Sequence, residues 1–177
     1  MRLQDFIKVY DDVFSYEECE ELINEFNAGE QEFIDEDKRP KFTQVTLSEE
    51  KSRSIISKLN NPINDYCDFC DVSDYMLPET FAYELARIKK YRNGSDDQFK
   101  EHVDVRDYES SRRFMSFLIY LNDVEVGGET KFINIQKKVR PKRGRLLIFP
   151  PLWLFPHMGA EVQSGDKYIL STYLHYL

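Results

Sequence analysis

The sequence predicts an α+β protein, mainly β, in which helices come first and a run of short strands follows. Residues 1–79 show helical periodicity, whereas the hydrophobic period becomes two from residue 80 onward. Turn signals such as Gly127-Gly128 separate the later apolar segments. A double-sheet jelly roll is the economical arrangement for that many strands in about 100 residues. We therefore expect a jelly-roll catalytic core at residues 80–177, supported by the helical region before it.

The N-terminal helices are predicted from their caps and their apolar spacing. They are expected at residues 16–28, 48–59 and 62–71. Ser15 and Glu18 have the spacing of a capping box, and Ser48 is a second N-cap candidate. Pro62 suits the first turn of the third helix. The charged stretch at residues 30–41 is expected to be a solvated loop.

The strands are predicted from alternation and from the turn residues that bound them. They are expected at residues 6–10, 81–88, 114–122, 129–135, 145–150 and 167–177. The basic run at residues 137–143 is expected to be a solvated loop. We find no internal repeat and no low-complexity linker, so residues 1–177 are predicted to form a single domain.

Charge and composition exclude several classes of function. The chain has 177 residues and a formal net charge of −8, and such an acidic surface argues against non-specific nucleic-acid binding. No apolar run reaches the ~20 residues of a bilayer span, so no membrane partner is expected. Three cysteines, an odd number, together with a start unlike a signal peptide, predict a cytoplasmic location.

A candidate metal site follows from two of the three histidines. His102 and Asp104 are two residues apart, so on an extended chain their side chains point to the same face. His157 adds a second imidazole after a predicted strand. Two histidines and one carboxylate form the facial triad that binds Fe(II) and leaves three positions open, enough for a bidentate 2-oxo acid and O2. A zinc hydrolase uses a similar set, and the three residues alone do not decide between the metals.

A candidate co-substrate site lies close to the second histidine in sequence. Lys167 opens the last predicted strand, ten residues after His157. Its ammonium group could pair with the far carboxylate of a dicarboxylic co-substrate, and Tyr91 and Thr172 are plausible hydrogen-bond donors around the same acid.

Four segments of the chain carry a family resemblance. In order, they are KKYRNGSDDQFKEHVD, RRFMSFLIYLNDVEVGGETKF, VRPKRGRLLIFP and HMGAEVQSGDKYILSTY. They resemble the motifs of the prolyl 4-hydroxylase type of Fe(II)/2-oxoglutarate-dependent dioxygenases, over residues 80–176. The resemblance implies a double-stranded β-helix, which is another name for the jelly-roll barrel, and hydroxylation coupled to conversion of 2-oxoglutarate to succinate and CO2.

The resemblance also implies roles for particular residues. His102, Asp104 and His157 would ligate the iron, and Lys167 would bind 2-oxoglutarate and complete the catalytic set. The pocket around the co-substrate would be lined by Tyr91, Tyr120, Thr130 and Thr172.

The resemblance also implies residues on the substrate side of the site. Arg113 falls where family members often contact a peptide substrate, and Tyr173 stands where many have a tryptophan. Trp153 could be a wall near the site mouth or a core residue. The polar loop 105–112 could close over substrate as a lid.

The leading functional hypothesis is hydroxylation of prolyl residues in a peptide or protein, as by a procollagen-proline 4-dioxygenase, with ascorbate as the reductant. The first alternative is the same chemistry on a free amino acid or another small molecule. The second is a barrel that binds metal without turnover, which the retention of all four site residues argues against.

Overall fold

A computed structural model of the chain describes residues 1–36 and 40–177. Within them, the helices are α1 (Tyr16–Ala28), α2 (Glu49–Ser57) and α3 (Asn60–Phe69). The strands are β1 (Lys8–Tyr10), β2 (Glu32–Asp35), β3 (Lys41–Thr46), β4 (Phe81–Tyr83), β5 (Arg87–Tyr91), β6 (Arg113–Tyr120), β7 (Thr130–Phe132), β8 (Lys137–Val139), β9 (Arg145–Phe149), β10 (His157–Gly159) and β11 (Lys167–Tyr176).

The strands form two antiparallel sheets. The major sheet has the order β1-β9-β6-β11-β5-β3-β2, and β4 also pairs with β11. The minor sheet has the order β10-β7-β8. Apolar side chains of both sheets share one buried cluster, among them Phe132 and Val139 from the minor sheet and Tyr120 and Ile169 from the major one. The predicted jelly-roll architecture is confirmed.

Strand β6 shows how one sheet serves two cores. Phe117 and Ile119 belong to the cluster that packs against the helices, whereas Leu118 and Tyr120 belong to the cluster between the sheets. Successive side chains of a strand point to opposite faces, so a strand covered on both sides is apolar throughout. This is why residues 114–121 are apolar except for Ser116.

The helices cover the outer face of the major sheet. The predicted capping box of α1 is confirmed: Ser15 Oγ accepts a hydrogen bond from the Glu18 backbone N–H, and the Glu18 carboxylate accepts one from the Ser15 backbone. Leu22 and Phe26 bury the apolar face of α1 in the outer core. None of the helices in the described part of the chain is both long enough and apolar enough to cross a bilayer.

Several predicted elements were wrong. Residues 30–41 do not form a loop throughout, because β2 lies within them and β3 begins at Lys41, although residues 37–39 fall outside the described residues. The basic run at residues 137–143 begins with a strand, β8. The expected strand at 81–88 is interrupted after Tyr83 and resumes as β5, and β10 was not predicted at all.

Phe117 offers a test of the outer core. Its ring is fully buried between the major sheet and the helices. We expect Phe117→Ala to lower the free energy of unfolding by about 3–5 kcal/mol, because it removes apolar contacts and leaves a cavity. Urea denaturation measures the change. The control Ile133→Ala, at an exposed side chain, should cost less than about 1 kcal/mol, and an equal loss in both variants would contradict this account of the core.

Candidate active site

The site forms where the loop after β5 meets the start of β10. The backbone N–H of His102 donates to the carbonyl of His157, and the N–H of His157 donates to the carbonyl of His102, each at 2.9 Å. This isolated antiparallel bridge brings the two imidazoles together, and Asp104 follows on the same face. One potential ligand atom from each of the three residues lies within 4.8 Å of the others. The three residues predicted as metal ligands are therefore brought together.

Both histidines present the same ring nitrogen to the centre of this group. Nδ1 of His102 lies 2.7 Å from the carbonyl oxygen of Lys100, and Nδ1 of His157 lies 3.0 Å from that of Phe155. A carbonyl can only accept, so each Nδ1 carries a proton, and Nε2 is the ring atom left to bind a metal. The two Nε2 atoms lie 3.5 and 3.8 Å from the carboxylate oxygens of Asp104.

Asp104 is buried, and polar groups hold its carboxylate. The hydroxyl of Tyr173 donates to Oδ1 at 3.1 Å, and the hydroxyl of Ser116 donates to Oδ2 at 3.3 Å. Burial by itself raises the pKa of Asp104, but its interactions with His157 and His102 outweigh that effect and hold the pKa well below the usual range. The carboxyl group is therefore ionised, as a metal ligand must be.

Aromatic rings keep His157 neutral. Its imidazole lies with ring centroids 4.8 Å from Phe149 and 5.6 Å from Phe132. Burial lowers the pKa of His157 to about 4, although the charge of Asp104 acts in the opposite direction. His102 stacks on Phe99 with centroids 3.5 Å apart. Neutral imidazoles of fixed orientation are the form that binds metal.

Lys167 lies in the same cavity as the three candidate ligands. This inner pocket is lined by Lys89, Tyr91, Phe99, His102, Asp104, Leu118, Thr130, His157, Gly159, Lys167, Ile169 and Tyr173. Nζ of Lys167 donates to the carbonyl of Gly128 at 2.6 Å and lies 5.3 and 5.7 Å from the ring centroids of Tyr91 and Tyr120. Burial lowers the pKa of Lys167 to about 8. This pKa is still above neutral pH, so the amine is protonated there.

The other residues predicted for the co-substrate pocket divide into two groups. Tyr91 and Thr130 line the inner pocket, and Tyr120 lies behind Thr130, with the two hydroxyl oxygens 2.6 Å apart. Thr172 points elsewhere: its hydroxyl donates to the carbonyl of Glu84 at 2.6 Å, and it lines neither pocket described here. Thr172 is one residue out of phase with Tyr173 on β11, so the strand turns its side chain away.

An outer pocket opens above the three ligand candidates. It is lined by Ile34, Glu36, Pro40, Phe42, Gln44, Arg87, Lys89, Phe99, His102, Val103, Asp104, Arg106, Arg113 and Tyr173. Arg113, which was predicted to lie on the substrate side, lines this pocket. Two of its guanidinium nitrogens donate to the Glu84 carboxylate, and a third donates to the carbonyl of Asp104. Its guanidinium also lies 4.1 Å from the ring centroid of Tyr173.

Trp153 and the loop 105–112 were both expected near the site mouth. Trp153 is 75% exposed and lines neither pocket, so it is not a core residue and it does not form a wall of the cavity. The loop 105–112 is braced from within, because the backbone N–H groups of Arg106 and Asp107 donate to the hydroxyl of Ser110. Its tip carries Tyr108, which is 93% exposed.

Sequence reasoning missed three residues of the site. Ser116 bonds the Asp104 carboxylate, Glu84 bonds Arg113, and Lys89 lines both pockets. The period of two on β5 could have indicated Lys89, because it places that residue on the same face as Tyr91. No local signal marks Ser116, which lies within an apolar run.

The donor set fits a ferrous ion. Two imidazoles and one carboxylate bind three positions of such an ion and leave others for small ligands. A protonated lysine in the same cavity suits the carboxylate of a chelating acid. The arrangement can therefore hold a metal and an anionic co-substrate side by side.

Comparison with known proteins agrees with this chemistry. A sequence profile described as the 2OG-Fe(II) oxygenase superfamily matches residues 86–175. The chain is 30% identical over 128 residues to "Probable prolyl 4-hydroxylase 9" of Arabidopsis thaliana, a match that covers 56% of this chain and 43% of that protein. It is 37% identical over 70 residues to "Putative prolyl 4-hydroxylase" of Acanthamoeba polyphaga mimivirus, with 35% and 29% covered. The chain thus spans less than half the length of these relatives.

A solved structure shares the fold over nearly the whole chain. It is that of a viral collagen prolyl hydroxylase from Paramecium bursaria Chlorella virus 1, determined as a 2OG complex, with a TM-score of 0.76, 22% sequence identity and 97% of each chain covered.

The geometry predicts a specific loss of metal affinity. We expect His102→Ala and Asp104→Ala each to weaken Fe(II) binding by more than about 100-fold, because even the residues that orient metal ligands are worth about 10- to 100-fold. Anaerobic equilibrium dialysis measures the binding. The control is His175→Ala, which removes the third histidine of the chain and should leave affinity unchanged. Full affinity in both ligand variants would contradict the assignment.

Proposed function

This chain belongs to the 2OG-Fe(II) oxygenase superfamily, and on that premise we propose that it hydroxylates prolyl residues of a peptide or protein. The observation that carries the proposal is one cavity containing both the His102, Asp104 and His157 group and the buried Lys167. The names of its relatives support prolyl residues as the target.

In this proposal His102, Asp104 and His157 hold Fe(II), and Lys167 pairs with the distal carboxylate of 2-oxoglutarate. When bound, the metal and co-substrate supply the oxidative chemistry: 2-oxoglutarate becomes succinate and CO2, and one oxygen atom of O2 enters a C–H bond of the substrate. Ascorbate is the proposed reductant that keeps the iron ferrous.

The protein's own residues position these groups and exclude water. Tyr173 and Ser116 fix the carboxylate of Asp104 by donating to its two oxygens. The carbonyls of Lys100 and Phe155 fix both imidazoles. Positioned groups of this kind reduce the reorganisation that accompanies the reaction.

The surroundings of Lys167 favour the binding of an anion. Its ammonium group has one carbonyl partner, Gly128, and lies against the faces of two tyrosine rings. A carboxylate entering this site gains a charge-assisted hydrogen bond in a poorly hydrated environment, where such a bond is strong.

A proline-containing peptide suits the outer pocket. Proline presets an extended conformation, so a proline-rich segment loses less entropy than other segments when it docks. The pocket opens directly above Asp104 and His102, which brings a bound residue next to the proposed iron.

One observation favours a second candidate, the same chemistry on a free amino acid or small molecule. Arg113 was expected to contact a peptide backbone, but its guanidinium is already committed to Glu84 and to the Asp104 carbonyl. A small substrate would not need that contact.

The first test concerns Lys167. We expect Lys167→Met to raise the KM for 2-oxoglutarate by roughly 10- to 150-fold, since a charge-assisted hydrogen bond contributes about 1.5–3 kcal/mol. Fe(II) affinity should stay unchanged. Succinate formation at varied 2-oxoglutarate gives the KM, and Lys131→Met, on the minor-sheet strand β7, is the control. An unchanged KM would show that another cation binds the co-substrate.

The second test concerns the substrate. We expect proline-rich peptides to stimulate succinate formation and to gain the mass of one oxygen atom, measured by mass spectrometry. Peptides of the same length with alanine in place of proline are the control and should remain unmodified. If free proline or another small molecule is turned over faster than every peptide offered, the second candidate replaces the first.

A further inference from the structure

A second buried lysine faces the cavity and has no role in the function proposed so far. Lys89 is only 8% exposed and lines both the inner and the outer pocket. It lies on β5 two residues before Tyr91, so both side chains point into the barrel. In the sheet register Tyr91 is opposite Lys167, and Lys89 is opposite Ile169. Lys89 is therefore one step, about 7 Å, from Lys167 along the strands toward the mouth.

The ammonium group of Lys89 is poorly compensated. Among residues 1–36 and 40–177, no hydrogen bond or ion pair is found for its Nζ, which lies over the rings of Phe42 and Phe99 at 5.1 and 5.8 Å from their centroids. The other basic residues of the outer pocket have acidic partners: Arg87 and Arg113 bond Glu84, and Arg106 lies beside Asp107. Burial lowers the pKa of Lys89 to about 8, and the charge of Asp104 acts in the opposite direction.

With Fe(II) and 2-oxoglutarate bound, the charge of Lys89 has no counterpart in the charge balance of the site. The formal charges of a ferrous ion, Asp104, doubly ionised 2-oxoglutarate and Lys167 cancel. Among the described residues that line the inner pocket, an ammonium group on Lys89 is then the one positive charge that this sum does not cancel. A buried charge without a partner is costly, so the site is complementary to one more negative charge.

We propose that Lys89 is a specificity-determining residue that binds a carboxylate of the substrate, and that the preferred substrate is a peptide with an aspartate or glutamate next to the target proline. This inference rests on the proposed function and narrows its substrate class. A carboxylate could also come from a free amino acid or from the iron-chelating end of 2-oxoglutarate. Lys89 lines both pockets, and the substrate enters through the outer one. This position favours the substrate as the source of the carboxylate.

The test compares matched pairs of carboxylate and amide probes. One pair is a proline peptide with aspartate beside the proline and the same peptide with asparagine. The other pair is N-acetylproline and its amide. Binding of each is measured anaerobically, with Fe(II) and 2-oxoglutarate present but no turnover. The protein is compared with Lys89→Met and with the control Lys90→Met. Lys90 is adjacent on the same strand but pairs with Asp166, away from the cavity.

We expect the unmodified protein to bind the aspartate peptide about 10- to 150-fold more tightly than the asparagine peptide. The ratio should fall to near one in Lys89→Met and persist in Lys90→Met. Lys89→Met should also fold, and its unfolding midpoint in urea should be at least as high as that of the unmodified protein. The substitution removes a buried charge and leaves an apolar side chain of similar volume. If the role of Lys89 were purely structural, Lys89→Met would leave the ratio of the two peptide affinities unchanged.

The other outcomes are decisive as well. A preference confined to the N-acetylproline pair, and lost in Lys89→Met, would overturn the peptide and assign Lys89 to a free amino acid. A raised Kd for 2-oxoglutarate in Lys89→Met without any change in the ratios would assign the lysine to the co-substrate. The absence of a carboxylate preference in both pairs would overturn the proposal, even if prolines are hydroxylated. Failure of every peptide to gain oxygen would instead count against the proposed function.

Discussion

The paired backbone hydrogen bonds between His102 and His157 are the interaction on which the candidate site depends. They join a loop that leaves the major sheet after β5 to the first residue of a minor-sheet strand. Two strand pairings complete the site: β10 pairs with β7, which places Thr130 opposite Gly159, and β11 pairs with β5, which places Lys167 opposite Tyr91. The site is therefore made by the contact between the two sheets.

The second constraint is electrostatic. A barrel interior lined by aromatic and aliphatic side chains solvates ions poorly, and each buried charge costs several kcal/mol unless it has a partner. Asp104 is compensated by two hydroxyl donors and two imidazoles, and Lys167 by a carbonyl and two tyrosine faces. Among the described residues, the ammonium group of Lys89 contacts two ring faces and makes no hydrogen bond or ion pair. Binding of a metal and of acids compensates these buried charges. The charges of the free protein therefore contribute to its selectivity for ligands of opposite charge.

The edge strands show why part of the fold escaped prediction. Strand β2 lies at one end of the major sheet, and most of its side chains are exposed. Strand β8 is likewise at the end of the minor sheet and reads Lys137, Lys138, Val139. A strand with one partner and a solvated face carries polar residues, so it lacks the apolar alternation that reveals a strand. Strands β6 and β9, buried on both faces, were predicted because burial makes most of their residues apolar.

The sequence by itself determined the chemical types available and the local caps. Two histidines and an aspartate at their spacing indicated a metal site, and a capping box indicated where α1 begins. Tertiary structure decided which other side chains join them. Thr172 turns away because of strand phase, Trp153 stays in solvent, and Arg113 is held by Glu84. Lys89 shares one face of β5 with Tyr91, as the period of two indicates. The pairing of β5 with β11 sets that face against Lys167 and Ile169, and no local spacing could reveal this because the two strands are far apart in the chain.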